Sequence, residues 1–193
     1  MDSFDLEKHI PSLDGKYILV TGGTCGFYNP ACATLMLNTG GAVLGREILF
    51  AARTQLKAED VQEIKGDVHK SDISHIKLGI ASFHTVKEEA EGFKSRSEGL
   101  DILMNNAGDY SCTRSQAQSK TKESYEIQFG TDHMGHALLT KLLLSTTEKS
   151  GSDVRVINLS SEGDYCAPTI IYDQDRLQSY PKFYRYSQST LFR

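Results

Sequence analysis

Six residues near the N-terminus, Thr21-Gly22-Gly23-Thr24-Cys25-Gly26, directly follow the apolar run Tyr17-Ile18-Leu19-Val20. A strand that runs into a glycine-rich turn and then a helix can hold a pyrophosphate. Glycines let the backbone come close to the anion, and a helix N-terminus supplies N–H donors and a favourable dipole. Arg53 stands directly after a second apolar run, Ile48-Leu49-Phe50-Ala51-Ala52, which no carboxylate closes. A carboxylate in that place suits the ribose 2′-hydroxyl of NAD, whereas an arginine suits the 2′-phosphate of NADP. A solvated surface arginine is the other reading. The sequence thus points to a nicotinamide dinucleotide, NADP before NAD.

These residues need a scaffold that brings strand ends together. Apolar runs alternate with helical patterns along the chain, which argues for parallel strands joined by crossover helices. The expected strands start at Tyr17, Ile48, a stretch with Ile76, Leu78 and Ile80 in alternation, Ile102-Leu103-Met104, and Val154–Leu159. Between them, Gln55–Lys65 is weakly amphipathic. Phe83, Val86, Ala90 and Phe93 share one helical face, with Ser82 as N-cap. The longest helix is expected from about Lys122 to Thr147, with Leu138, Leu139, Leu142 and Leu143 toward the core. The irregular connections are 109–120 and 162–181. The fold class is therefore α/β, a Rossmann-like doubly wound parallel sheet of about five strands. Ligands bind such sheets at the carboxyl ends of the strands.

The fourth strand ends in Asn105-Asn106-Ala107-Gly108, and Ser161 and Tyr186 follow it. Together with the glycine turn, these residues resemble the short-chain dehydrogenase/reductase family. The stretches Tyr125–Gly130 and Leu159–Gly163 are similar to its fungal retinol-dehydrogenase-like members. The likeness runs from Leu13 to Phe192. It implies that Thr21, Gly22, Gly23, Gly26, Arg53, Asn105, Ala107 and Gly108 bind the cofactor. It also implies that Ser161 holds a carbonyl oxygen and Tyr186 exchanges its proton, as interconversion of a carbonyl and an alcohol by hydride transfer requires.

Several positions depart from the family pattern. The last glycine of T-G-x-x-x-G-x-G is Tyr28, and Leu78-Gly79-Ile80 lacks the aspartate of the adenine contact. Leu44-Gly45-Arg46-Glu47 resembles a segment that normally follows the glycine turn at once. Residues from about 25 to 41 therefore read as an insertion, or else as a divergent loop with a short helix. The family's lysine four residues after the tyrosine is Thr190 here. A free tyrosine titrates near pH ~10, so only about 0.1% is phenolate at neutral pH without such a cation. Lys182 stands before the tyrosine instead. In Gly130–His136, which resembles G-x-N-H-x-G-H, Asp132 takes the place of an asparagine, and its charge would raise the tyrosine's pKa further. His133 and His136 read as packing or capping residues, and no metal site is expected. A catalytically impaired relative that binds a nucleotide weakly, or serves as an interaction domain, is the alternative function. In the family pattern Arg193 falls within the helix that carries the tyrosine. Residues that choose the substrate, and most of a dimer helix, are then expected beyond it, and a homo-oligomer is left open.

Composition sets the outer bounds. The 193 residues suit a single domain, 1–193, with 39% hydrophobic and 24% charged residues as in ordinary globular proteins. A net charge of −4 gives no general attraction to nucleic acid or anionic membrane. After Asp175 the charged residues are all basic: Arg176, Lys182, Arg185 and Arg193. They read as a solvated face, or as an anion or partner contact. Four cysteines without paired spacing suit free thiols in a reducing compartment. No apolar run has the length of a membrane span, and the acidic N-terminus does not suit a targeting peptide. A cytoplasmic protein acting on a small molecule is the expectation.

Overall fold

The structure, a computed structural model, describes residues 15–22, 47–52, 72–108, 120–151 and 153–160, with the backbone alone for 47–52 and 72–75. Five strands form one sheet: β1 (Tyr17–Thr21), β2 (Glu47–Ala52), β3 (Asp72–Lys77), β4 (Ile102–Asn105) and β5 (Arg155–Asn158). All pairs are parallel and the spatial order is β3-β2-β1-β4-β5. This is the Rossmann-like arrangement. The order reverses between β1 and β4, where such sheets open a crevice at the carboxyl ends of the strands.

Two α-helices are described, α1 (Phe83–Arg96) and α2 (His136–Thr147). The crossovers β3–α1–β4 and β4–α2–β5 step in the same direction, so their common right-handedness puts both helices on one face of the sheet. Val86, Ala90 and Phe93 of α1 meet Leu139 and Leu143 of α2 over Leu19 and Leu103, all almost fully buried, with Leu138 and Leu142 packed against them. Ile18, Val20, Ile102 and Met104 are buried on the opposite face. The continuous apolar runs of the first and fourth strands follow from that two-sided burial.

The third strand ends earlier than its alternating pattern suggests. Leu78 and Ile80 are 4% exposed but lie past Lys77, where Ser82 N–H donates to Gly79 O at 3.2 Å. Alternation here marks burial beneath the helices, not strand pairing. Ser82 precedes α1 as expected, yet its hydroxyl makes no capping bond. Glu123 Oε1 accepts the Phe83 N–H instead, at 2.7 Å.

The long helix begins later than its apolar pattern suggests. Residues 121–125 form a tight turn with Ser124 at φ 69°. Thr121 N–H donates to Tyr125 O, and Tyr125 N–H to Thr121 Oγ1. Helical backbone starts at Ile127, runs as π-helix over Phe129–Gly135, and becomes α2 at His136. The expected helix at Gln55–Lys65 and the segment 25–41 lie outside the described residues, as do all four cysteines, most of 109–120, and the basic residues after Asp175.

At the amino ends of the strands, Asp101 ties three of them together. Its carboxylate accepts from Tyr17 N–H at 2.8 Å and from Lys16 Nζ at 3.0 Å. Its carbonyl accepts from Arg155 N–H at 2.8 Å. This clamp is at the end of the sheet opposite the ligand crevice, so it serves the scaffold.

Candidate nucleotide site

The crevice is built where β1 and β4 end side by side. Thr21 closes β1, and its backbone and side chain both engage the residues after β4. Thr21 Oγ1 accepts from the N–H groups of Asn106 and Ala107, each at 3.0 Å. Asn106 Nδ2 donates to Thr21 O at 2.9 Å. Thr21 is fully buried, so these bonds are made away from competing water and hold the two strand ends in fixed register.

Gly22 follows at φ +72°, and a Cβ built on it would sit 2.5 Å from Ala107 Cα and 2.9 Å from Ala107 Cβ. Both backbone conformation and close approach therefore demand glycine. The glycine turn and the Asn-Asn-Ala-Gly segment are complementary halves of one junction. Gly108 follows Ala107 and is exposed.

Asn105 turns away from the junction and braces its far side. Its Nδ2 donates to Thr140 Oγ1 of α2 at 3.0 Å and to Asn158 Oδ1 at the end of β5 at 2.8 Å. Its carbonyl accepts from Leu159 N–H at 3.1 Å. So Asn105 fixes where the chain leaves β5, two residues before Ser161.

The helix presents a third wall. Asp132, His136 and Thr140 are spaced four apart, so one helical face carries all three. Asp132 is fully buried and His136 is 4% exposed. His136 Nδ1 lies 2.9 Å from Asp132 O, and its Nε2 lies 2.9 Å from Thr21 Oγ1. His136, expected from the sequence to pack or cap, bonds a carbonyl of its own helical run and reaches Thr21 at the end of β1. His133 packs on Phe129, with ring centroids 5.4 Å apart.

Of the sequence-derived candidates, the structure brings together Thr21, Gly22, Asn105 and Ala107, with Gly108 next in the chain. Gly23, Gly26, Arg53, Ser161 and Tyr186 lie outside the described residues, as do Tyr28, Lys182 and Thr190. Sequence reasoning did not single out Thr140 and Asn158. The four-residue spacing from Asp132 through His136 was the available signal for Thr140.

The residues present fit a dinucleotide at one end of the crevice. Gly22, lacking a Cβ, lets the end of β1 lie against Ala107 at the carboxyl edge of the sheet, the edge where such sheets bind dinucleotides.

The chain is similar to known proteins in sequence and fold. A family model described as short chain dehydrogenase matches residues 16–167. Human retinol dehydrogenase 12 is 32% identical over 180 residues, covering 93% of this chain and 54% of that protein. A short-chain dehydrogenase/reductase of the fungus Colletotrichum higginsianum is 34% identical over 165 residues, covering 81% of this chain and 39% of that protein. Among solved structures, the Pseudomonas aeruginosa RhlG/NADP active-site complex aligns with a TM-score of 0.63 at 24% identity, covering 93% of this chain and 63% of that one. The chain spans about half the length of human retinol dehydrogenase 12.

Proposed function

The chain belongs to the short-chain dehydrogenase family and is by family an oxidoreductase, and from that premise we propose that it is an NADP-dependent enzyme interconverting a carbonyl and an alcohol. The observation that carries the reading is the Gly22–Ala107 junction, which packs the first glycine of the turn against the segment after β4 at the switch point of the sheet. In the sequence Gly23 and Gly26 follow Gly22 and complete the glycine-rich motif. Arg53, after β2, favours the 2′-phosphate of NADP over the 2′-hydroxyl of NAD. We take the chain as one dinucleotide-binding domain over 1–193, and propose a cytoplasmic location because the spacing of its four cysteines shows no pairing motif. Among the described residues no helix is long and apolar enough to cross a membrane.

When bound, the reduced cofactor supplies a hydride to the carbonyl carbon. Ser161 Oγ donates a hydrogen bond to the carbonyl oxygen, and the Tyr186 hydroxyl gives that oxygen its proton. Asn105, bonded to Asn158 and Leu159, fixes the strand end from which Ser161 follows. We take the substrate class as an apolar alcohol or its aldehyde, from the retinol in the name of the human relative, and the likeness of the sequence to fungal members of the family is the ground for proposing a role in fungal secondary metabolism.

A second reading rests on Thr190. Without a cation four residues beyond Tyr186, the phenol keeps its ordinary reluctance to ionise, and the chain binds nucleotide with little turnover. Thermal unfolding with excess NADPH or NADH, followed by nucleotide absorbance in the presence of retinal, tests both. A rise in Tm with NADPH larger than that with NADH, together with aldehyde-dependent oxidation, is expected. A rise without oxidation leaves the second reading. No rise with either nucleotide overturns both.

A further inference from the structure

The Thr21 hydroxyl has one hydrogen and two lone pairs. Both lone pairs are taken, because Asn106 N–H and Ala107 N–H each reach Oγ1 at 3.0 Å. The hydrogen must therefore point elsewhere. Two acceptors stand near it, Met104 O at 3.4 Å and His136 Nε2 at 2.9 Å. The distance to Met104 is long for an O–H···O bond. The distance to the ring nitrogen is good, provided Nε2 carries no hydrogen.

The other ring nitrogen decides that. His136 Nδ1 lies 2.9 Å from the carbonyl oxygen of Asp132, and a carbonyl can only accept. Nδ1 therefore holds the proton, and in the neutral ring Nε2 is left as an acceptor. The backbone of the same residue permits this. His136 N–H donates to His133 O, where the π-helix gives way to α2, and the Asp132 carbonyl is met by the ring. Were Nε2 protonated, Thr21 Oγ1 would face three N–H donors with two lone pairs.

We propose that His136, neutral and protonated at Nδ1, is a positioning residue for the nucleotide-binding turn: it accepts the Thr21 hydroxyl hydrogen and so aims both Thr21 lone pairs at the amides of Asn106 and Ala107. The link runs from the π-helix through one ring to the first residue of the turn. Gly22 sits immediately beyond, with no room to shift against Ala107. Loss of the ring acceptor frees the hydroxyl to rotate toward Met104 and loosens the junction on which the turn is built. The assignment rests on the dinucleotide reading above for its consequence, but its geometry stands without it.

Three single variants of the chain, one double variant, ring nitrogen shifts, nucleotide fluorescence and amide exchange test it. Nitrogen chemical shifts of the His136 ring should show Nδ1 protonated and Nε2 bare. His136→Leu should weaken NADPH binding, followed by the fluorescence of the bound nucleotide, by about tenfold, the scale of one lost buried hydrogen bond. His136→Gln, which keeps an acceptor at similar reach, should stay within about threefold. Thr21→Val should weaken binding in the natural chain and add little on top of His136→Leu, because the two act through one bond. Amide exchange at Asn106 and Ala107 should quicken in His136→Leu and not in His136→Gln.

An Nε2-protonated ring, or leucine and glutamine variants that behave alike in amide exchange, would overturn the assignment. If the natural chain fails to bind NADPH, the proposed function falls. The ring tautomer and the amide exchange then decide the His136 assignment alone.

Discussion

At the scale of single residues, two glycines separate backbone strain from steric conflict. Gly15 and Gly22 both have positive φ, +76° and +72°, but a Cβ on Gly15 meets nothing within 4 Å. Gly15→Ala should cost about 1 kcal/mol for the left-handed backbone alone. Gly22→Ala should cost a further ~1–3 kcal/mol, because Ala107 must move, and it should erase any Tm rise with NADPH. Urea unfolding of the two variants measures the difference, and equal losses would mean that the junction is not tight. At the catalytic end, Thr190→Lys supplies the missing cation. A charge about 4 Å from the phenolate is worth at most ~4 kcal/mol at an effective dielectric of ~20. An increase of tenfold or more in aldehyde-dependent NADPH oxidation is therefore expected, with no change in NADPH affinity of similar size. The sequence made Thr21, Gly22, Asn105 and Ala107 legible because glycines and small polar residues at strand ends have few other uses. It hid Thr140 and Asn158, because a threonine in a helix and an asparagine at a strand end gain meaning only from the partner that faces them, here Asn105.

At the scale of elements, the same substitution has opposite signs on two helical segments. Ala is favoured over Gly by about 1 kcal/mol inside a helix. On α1, a Cβ at Gly92 would meet only the tips of Arg96 and Glu89, at 3.8 and 4.0 Å, so Gly92→Ala should stabilise by nearly that amount. At Gly135, where the π-helix passes into α2, the Cβ would strike the Ile80 carbonyl and come within 2.8 Å of Ile80 Cγ2. Gly135→Ala should destabilise by ~1–3 kcal/mol, because the clash is with backbone rather than with the end of a flexible side chain. Thermal unfolding of both variants checks the signs. The start of α1 gives a similar contrast. Glu123→Ala should cost about 1 kcal/mol for the lost cap, while Ser82→Ala should be close to neutral, since the serine hydroxyl caps nothing. These contacts also explain what sequence reading reached and what it missed. The strands β1 and β4 carry unbroken apolar runs and the face of α1 a helical period of buried residues, so their positions were readable. The cap came from a residue 40 positions away, and the π-helix lies with Gly130 close against Thr121 and Gly135 close against Ile80. Neither leaves a local pattern.

At the scale of the molecule, the sheet is buried unevenly along its width. Its centre, β1 and β4, is covered on both faces. Its last described strand, β5, is exposed at all four residues, with Val156 at 40% and Ile157 at 37%. These two side chains point to opposite faces, as neighbours in a strand must. So β5 combines an unpaired outer edge among the described strands with apolar side chains above and below it. Such an edge is a template for pairing with another chain unless charge or coverage blocks it. Arg155 supplies one charge at the amino end, but it is turned toward Asp153 at 3.4 Å and so is partly neutralised. Self-association of the purified chain should therefore rise with concentration and be led by β5. Val156→Lys places a charge on the exposed edge without touching the Asn105–Asn158 bond that braces the nucleotide site. Sedimentation should show less association in that variant, with NADPH binding unchanged. The inner position Leu103, paired with Val156 in the register of β4 and β5, is fully buried in the core, and a lysine there should unfold the chain rather than solubilise it. Equal association in the Val156→Lys variant and the natural chain would mean that the edge of β5 is not where copies meet.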